Sequence, residues 1–348
     1  MLDLINCTIQ KLIVHRVGNK THNETLRLSD NLLNLTNERL KDLLIQYFLK
    51  PMMKSELYRF TFSNKDFKLN PIYQFAHSIF EDGGDFKNIS IDVAKYLFDT
   101  STHPNIKKGD LFFASFKNVA IEGEMTDAIG IFKSENRVSF LKLIDNEHNF
   151  NLNYDEGIGI DQLDKGCIIF NTMKNDGYKV CMVDQVNKGA EAQFWSQQFL
   201  NITPYENDYH FTKEFLNTTQ NYVNERLSED FEVSPVDKID LLNRSVEYFK
   251  SNEQFEKQDF EQIVLQDDNL IKSFQTFSNE FQRGHDFEIK DHFDISNDAI
   301  KKQARFLKSV LKLDKNFHVY IHGDRSQIEQ GVDTDGRKYY KLYYTEER

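Results

Sequence analysis

The 348-residue chain is poor in the residues that loosen a backbone, with 15 glycines and 5 prolines. Together they make up about 6% of it, roughly half the usual share. Few positions favour open turns or disorder, so the connections should be short and most of the chain ordered. Cysteine is scarcer still. Cys7, Cys167 and Cys181 are odd in number, widely separated and without a CxxC pair. That argues against a disulfide framework and a zinc site, and it suits a reducing cytoplasm. No stretch reaches the roughly 18–20 uninterrupted apolar residues of a membrane helix, so no membrane is expected among the partners. The opening MLDLINCTIQKLIVHRV carries Asp3 and then alternates, with neither a basic leader nor a small-residue cleavage site. It reads as a first strand.

Aromatic residues are plentiful, with 30 Phe and 15 Tyr, and the interior should be rich in them. The net charge of −12 opposes direct contact with nucleic acid, but its distribution is uneven. Residues 204–298 hold 22 acidic and 9 basic side chains, whereas residues 299–348 hold 11 basic and 7 acidic. The molecule is polarised, and a local cationic surface can still meet phosphates.

The pattern of apolar residues divides the chain into an N-terminal half, 1–188, and a C-terminal half, 189–348. Residues 4–16 suit a strand. Thr36 can cap a helix that Pro51 stops, residues 71–81 look helical, and Ser90 can open a further helix closed by His103-Pro104. Residues 111–144 break into short apolar runs, as do 166–171 and 178–184, the last two joined by the turn Lys174-Asn175-Asp176-Gly177. This predicts an antiparallel sheet. After Asn187-Lys188-Gly189 the spacing turns helical: FWSQQFL at 194–200, a helix over 208–228, and another from Ser234-Pro235. Leu270, Phe274, Phe277 and Phe281 form a packing stripe. Ser296 can cap a last helix to Leu313, and strand-like runs at 316–322 and 338–345 close the chain. The expected class is α+β, with a mostly antiparallel sheet plus helices first and a mainly helical half ending in a small β element.

On a helix continuing from Asp298 to Leu313, Lys301, Arg305, Lys308 and Lys312 fall on one face, beside the apolar row Ile300, Ala304, Leu307 and Leu311. One side would dock on the protein while the adjacent one offers four cations to a row of phosphates. A solvated face or ion pairs to the acidic segment would use the same residues. His318, Tyr320 and His322 alternate along a strand and, with Asp324, suggest metal binding or hydrolysis, but no further ligand recurs at a metal-site spacing. Asp333-Thr334-Asp335-Gly336 lacks the closing Glu of a calcium loop and reads as a turn. GxxxxGK[ST], HExxH and GxSxG do not occur, and Cys167 and Cys181 sit in apolar runs that make thiols inert. No catalytic site, cofactor or metal is expected.

Several segments resemble the bacterial nucleoid-associated protein family of the NdpA-like type, especially its longer Bacteroidetes members. They are IDVAKYLFDTSTHPNIKKGDLFFASF at 91–116 with the run through Asp127–Lys133, GAEAQFWSQQFLNI at 189–202, and residues 305–347 from RFLKSVLKL to KYYKLYYTEE. The resemblance implies a cytoplasmic protein associated with the nucleoid, non-enzymatic, binding double-stranded DNA with little sequence preference. It supplies no DNA-contacting residues, so the Lys301, Arg305, Lys308 and Lys312 assignment rests on spacing. A second reading is an adaptor whose acidic segment docks a basic DNA-metabolism protein that carries it to the nucleoid. Oligomeric state is not legible, and a homo-oligomer is compatible with either reading.

Overall fold

A computed structural model describes residues 2–53, 55–146, 149–186, 193–285, 287–304, 310–321 and 325–347. Contacts divide the chain into two units, Met1–Tyr205 and Glu206–Arg348.

The first unit contains β1 (Leu2–Asp3), β2 (Thr8–Val17), β3 (Leu26–Arg27), α1 (Glu38–Leu49), β4 (Leu57–Phe60), α2 (Pro71–Glu81) and α3 (Phe86–Thr100). There follow β5 (Gly109–Ile121), β6 (Glu124–Ser134), β7 (Val138–Asn146), β8 (Asn149–Gly157), β9 (Lys165–Phe170), β10 (Lys179–Asp184), a π-helical segment Phe194–Leu200 and β11 (Ile202–Pro204). A sheet of order β11-β4-β10-β9-β6-β5-β2-β3 runs through it, with β1 also on β5. Every pairing in it is antiparallel.

Both faces of this sheet are covered. Leu111 and Phe113 of β5 point to a core shared with α2 and α3, while Phe112, Ala114 and Phe116 point to a second core with Tyr47, Phe48 and Leu49 of α1. The same period of two separates Ile131 from Phe132 and Cys167 from Ile168. Burial on both sides explains why these strands read as unbroken apolar runs. The turn at Lys174–Asp176 joins β9 to β10 as its composition implies, with Gly177 at φ 90°. The run at 138–144 departs from expectation: β7 leaves the large sheet and pairs with β8 in a separate ribbon.

Two helix starts also differ from expectation. Asn37, one residue past Thr36, caps α1 by accepting the Leu40 N–H. α3 begins at Phe86 under an Asp85 cap, so Ser90 lies inside the helix and is buried. Either residue type can cap. The choice at Ser90 is made by burial, which claims that hydroxyl for a partner on another element. Phe194–Leu200, assigned by composition to the second half, packs in the first unit's core. There Trp195 is buried and donates to the Gly166 carbonyl at 3.3 Å.

The second unit begins with α4 (Asp208–Asn221), which continues through a π turn at Tyr222–Arg226 into α5 (Leu227–Asp230). Next come α6 (Pro235–Ser251), β12 (Gln254–Glu256), α7 (Lys257–Phe260), a π turn at Glu261–Leu265, α8 (Asp268–Gly284), β13 (His292–Asp294) and α9 (Asn297–Gln303). The strands β14 (Val310–Leu313), β15 (Phe317–Tyr320), β16 (Ile328–Val332) and β17 (Lys338–Leu342) follow, forming two antiparallel pairs. The core is aromatic: Phe255 lies 4.4 Å from Phe215 and 4.6 Å from Phe293 between ring centroids. Phe274, from the expected stripe, is buried in it. α6 starts as its sequence implies, with Pro235 in the first turn and a reciprocal cap between Ser234 and Asp237. Together the units make a mixed helix-and-strand molecule of α+β class. Among the described residues no helix is long and apolar enough to cross a membrane.

Candidate nucleic-acid interface

Ser296 does cap α9, its hydroxyl accepting the Ala299 N–H at 3.4 Å. Ala299 and Ile300 are buried, and Lys301 and Lys302 face solvent. The helix then ends at Gln303, short of the expected Leu313. Lys312 lies on β14, exposed and directly opposite His318 of β15. Arg305 and Lys308 lie outside the described residues. The single helix face joining all four cations is therefore not what the chain forms, since Lys301 and Lys312 stand on a helix and a strand.

The reason is tertiary. The segment Val-Leu-Lys-Leu fits a period of two as well as a helical one, and short apolar runs cannot choose between them. As a strand it turns Leu311 inward against Val236 and Ile239 of α6, together with Ile321 and Ile328. The same period turns Lys312 outward.

Among the described residues, Lys301, Lys312 and Lys315 have no ion-pair partner. Lys302 stands 6.0 Å from the Tyr209 ring. Three of the cations that follow are engaged, whereas Lys338 on β17 also has no ion-pair partner among the described residues. Arg325 donates to Asp237 at 2.7 Å and also to the Ile328 carbonyl, Arg337 reaches Asp333 at 3.1 Å and Asp335 at 3.0 Å, and Lys341 lies 3.6 Å from Glu329. Burial by itself would raise the Asp237 carboxyl, but hydrogen bonds from Arg325 and Ser234 outweigh it and hold the group below its ordinary value. His318 is exposed, and its expected companions His322 and Asp324 lie outside the described residues. Asp333–Gly336 forms the turn between β16 and β17, with the Gly336 N–H donated to the Asp333 carbonyl at 3.0 Å.

A second group of cations was invisible to local spacing because its members lie far apart in sequence. Arg16, Lys108 and Arg137 line a cavity of about 240 Å³ at one end of the large sheet, with Asp110, Ser134 and Glu135. Asp110 accepts from Arg16 at 2.8 Å and from Arg137, and Lys108 lies 3.7 Å from Glu24. Each of these cations already faces a carboxylate, so the cluster is an internal ion network and offers little net charge to a phosphate. The three cysteines are buried and free. Burial pushes the Cys7 thiol up to about 12 and Cys181 to about 11, and it raises Cys167 as well. Such thiols are poor nucleophiles.

The fold and its surface define a two-unit α+β protein with exposed ammonium groups near the carboxyl end that have no ion-pair partner among the described residues, and a long, partly ion-paired acidic stretch before them. A family model described as nucleoid-associated protein YejK matches residues 13–335, and the chain belongs to that family. No curated protein matches the chain.

Proposed function

We propose that this is a non-enzymatic nucleoid-associated protein of the cytoplasm that holds double-stranded DNA through phosphate contacts largely independent of sequence. The contacting residues are Lys301, Arg305, Lys308 and Lys312, with Lys302 and Lys315 beside them in the chain. The observation that carries this reading is the set of exposed ammonium groups at Lys301, Lys312 and Lys315 without a carboxylate partner among the described residues. They belong to a segment where basic residues outnumber acidic ones by 11 to 7. Family membership supplies the nucleoid setting. Lysines that neutralise phosphates release condensed counterions, so four contacts imply a loss of about 150-fold in affinity between 50 and 200 mM salt.

A mobility-shift titration of unrelated duplexes at two salt concentrations tests this. Replacing Lys301, Arg305, Lys308 and Lys312 with Glu should weaken binding more than tenfold and flatten the salt slope. A variant that binds like its parent, with the same slope, removes this surface from the interaction. The acidic stretch at 204–298 favours one other reading, an adaptor recruited through a basic DNA-metabolism protein. Purified protein that ignores DNA at low salt yet co-purifies with such a partner would select it.

A further inference from the structure

The β7–β8 ribbon stands apart from the large sheet, its two strands paired only with each other among the described residues. Every described residue from Val138 to Glu156 is exposed. Its base is fixed. The Asp164 carboxylate accepts the N–H groups of Glu135 at 2.6 Å and Asn136 at 2.9 Å, and Asp110 takes Arg137. Beyond that base, a two-stranded hairpin alone in water is marginally stable at best, so this ribbon gains from being covered.

Its two faces differ. Cross-strand pairs place Leu141 opposite Tyr154, Leu143 opposite Leu152, and Phe150 beside them opposite Asp145. These five apolar side chains share one face and are each between 62% and 75% exposed. The other face mixes Phe140 and Ile144 with Lys142, Asn151, Asn153 and Asp155. Five side chains of that size present on the order of 700 Å² to solvent, beyond the few hundred that monomers commonly leave in one patch.

The sequence of the ribbon argues against nucleic acid as the cover. Between Val138 and Gly157 it carries four carboxylates, Asp145, Glu147, Asp155 and Glu156, against the single cation Lys142. The patch does suit a copy of itself. One strand supplies leucines at 141 and 143, and the other supplies Phe150, Leu152 and Tyr154. A two-fold rotation sets the aliphatic row of one copy against the aromatic-bearing row of the other, as an isologous contact requires. Asp145 and Glu156 fall at the two ends of the patch, where an interface has its polar rim. Two such faces bury about 1,400 Å², inside the roughly 1,200–2,000 Å² of a stable specific interface.

We propose that the Leu141–Leu143 and Phe150–Tyr154 face of this ribbon is a self-association surface covered by a second copy of the chain. The pairing does not depend on the DNA reading.

Sedimentation equilibrium of the full chain should show a monomer–dimer equilibrium with a dissociation constant at or below roughly 10 µM. Replacing Leu143 and Leu152 with Glu should weaken it at least about 30-fold, whereas Lys142→Glu on the opposite face should leave it unchanged. A parent that stays monomeric, or a double variant that sediments like its parent, overturns the proposal. Should the double variant fail to fold, single cysteines decide, because the native thiols are buried. Leu143→Cys mixed with Leu152→Cys should form disulfide-linked dimers at least about tenfold faster than Asn153→Cys alone under the same oxidant, because the two-fold sets these two rows against each other across the contact. Equal rates would also overturn it.

Discussion

Lys165 and Glu135 meet at 2.9 Å with both side chains only 1% exposed, and the other carboxylate oxygen of Glu135 accepts from Lys133 at 2.9 Å. Lys133 and Lys165 are themselves cross-strand partners on β6 and β9. Two like charges opposite one another repel, and here a single buried carboxylate is set between them. Lys133 donates also to the Lys107 carbonyl, while Asp184 lies 3.6 Å from Lys165.

Removing that carboxylate should be costly. Glu135→Gln leaves two buried ammonium groups without their shared counter-charge, a loss of about 3–5 kcal/mol at neutral pH. Burial already lowers Lys133 below the ordinary lysine value, with Glu135 opposing that shift. In the window just below the ordinary value the unfolded chain binds more protons than the folded one, so stability rises with pH there. The deficit of the variant should therefore narrow as pH is raised from neutral towards that window. Urea midpoints of parent and variant across this range are the measurement. A neutral-pH difference under about 1 kcal/mol would mean that the pairing contributes little.

His15 should make the protein acid-sensitive through its tautomer. Its Nδ1 accepts the Ser29 N–H at 3.1 Å, which leaves Nε2 as the donor to the Ser90 hydroxyl at 3.0 Å, and that hydroxyl donates to the Lys87 carbonyl at 2.6 Å. Burial lowers the His15 pKa. Its contribution is therefore present above the unfolded value of about 6.5 and is lost as pH falls through the lower folded value. Replacing His15 with Gln should reduce the drop in melting temperature between neutral pH and pH 5, relative to the parent. Parallel pH profiles in the two proteins would show that the ring does not govern this response.

Asp237 ties the carboxyl-terminal strands to the start of α6, since it closes the Ser234 cap and accepts from Arg325. Asp237→Ala should cost about 1 kcal/mol, because the pair is partly exposed and the cap is a single hydrogen-bonded unit. Its carboxyl is held below the ordinary aspartate value, so its contribution persists at neutral pH and fades as pH falls through that lowered value. Amide exchange on β16 and β17 should accelerate in the variant while exchange in β5 and β6 stays unchanged. An equal increase in both regions would place the effect elsewhere.

Local chemistry was legible in the sequence wherever a few neighbouring residues suffice. Ser234-Pro235 starts α6, Asn175-Asp176-Gly177 turns β9 into β10, and Phe274 of the apolar stripe on α8 is buried. Each is set by a hydrogen bond or a periodicity spanning a handful of positions. Where two local solutions lie close in free energy, contacts distant in sequence chose between them. Val310–Leu313 becomes a strand because Leu311 is buried with Val236 and Ile239, and that choice separates Lys312 from Lys301. Ser90 is claimed by His15, 75 positions earlier, and Arg16 joins Arg137 through Asp110. Val138–Asn146 has the apolar content of a core strand yet leaves the sheet with β8 alone. Composition states that a side chain is apolar or charged; only the fold decides what, if anything, it is pressed against.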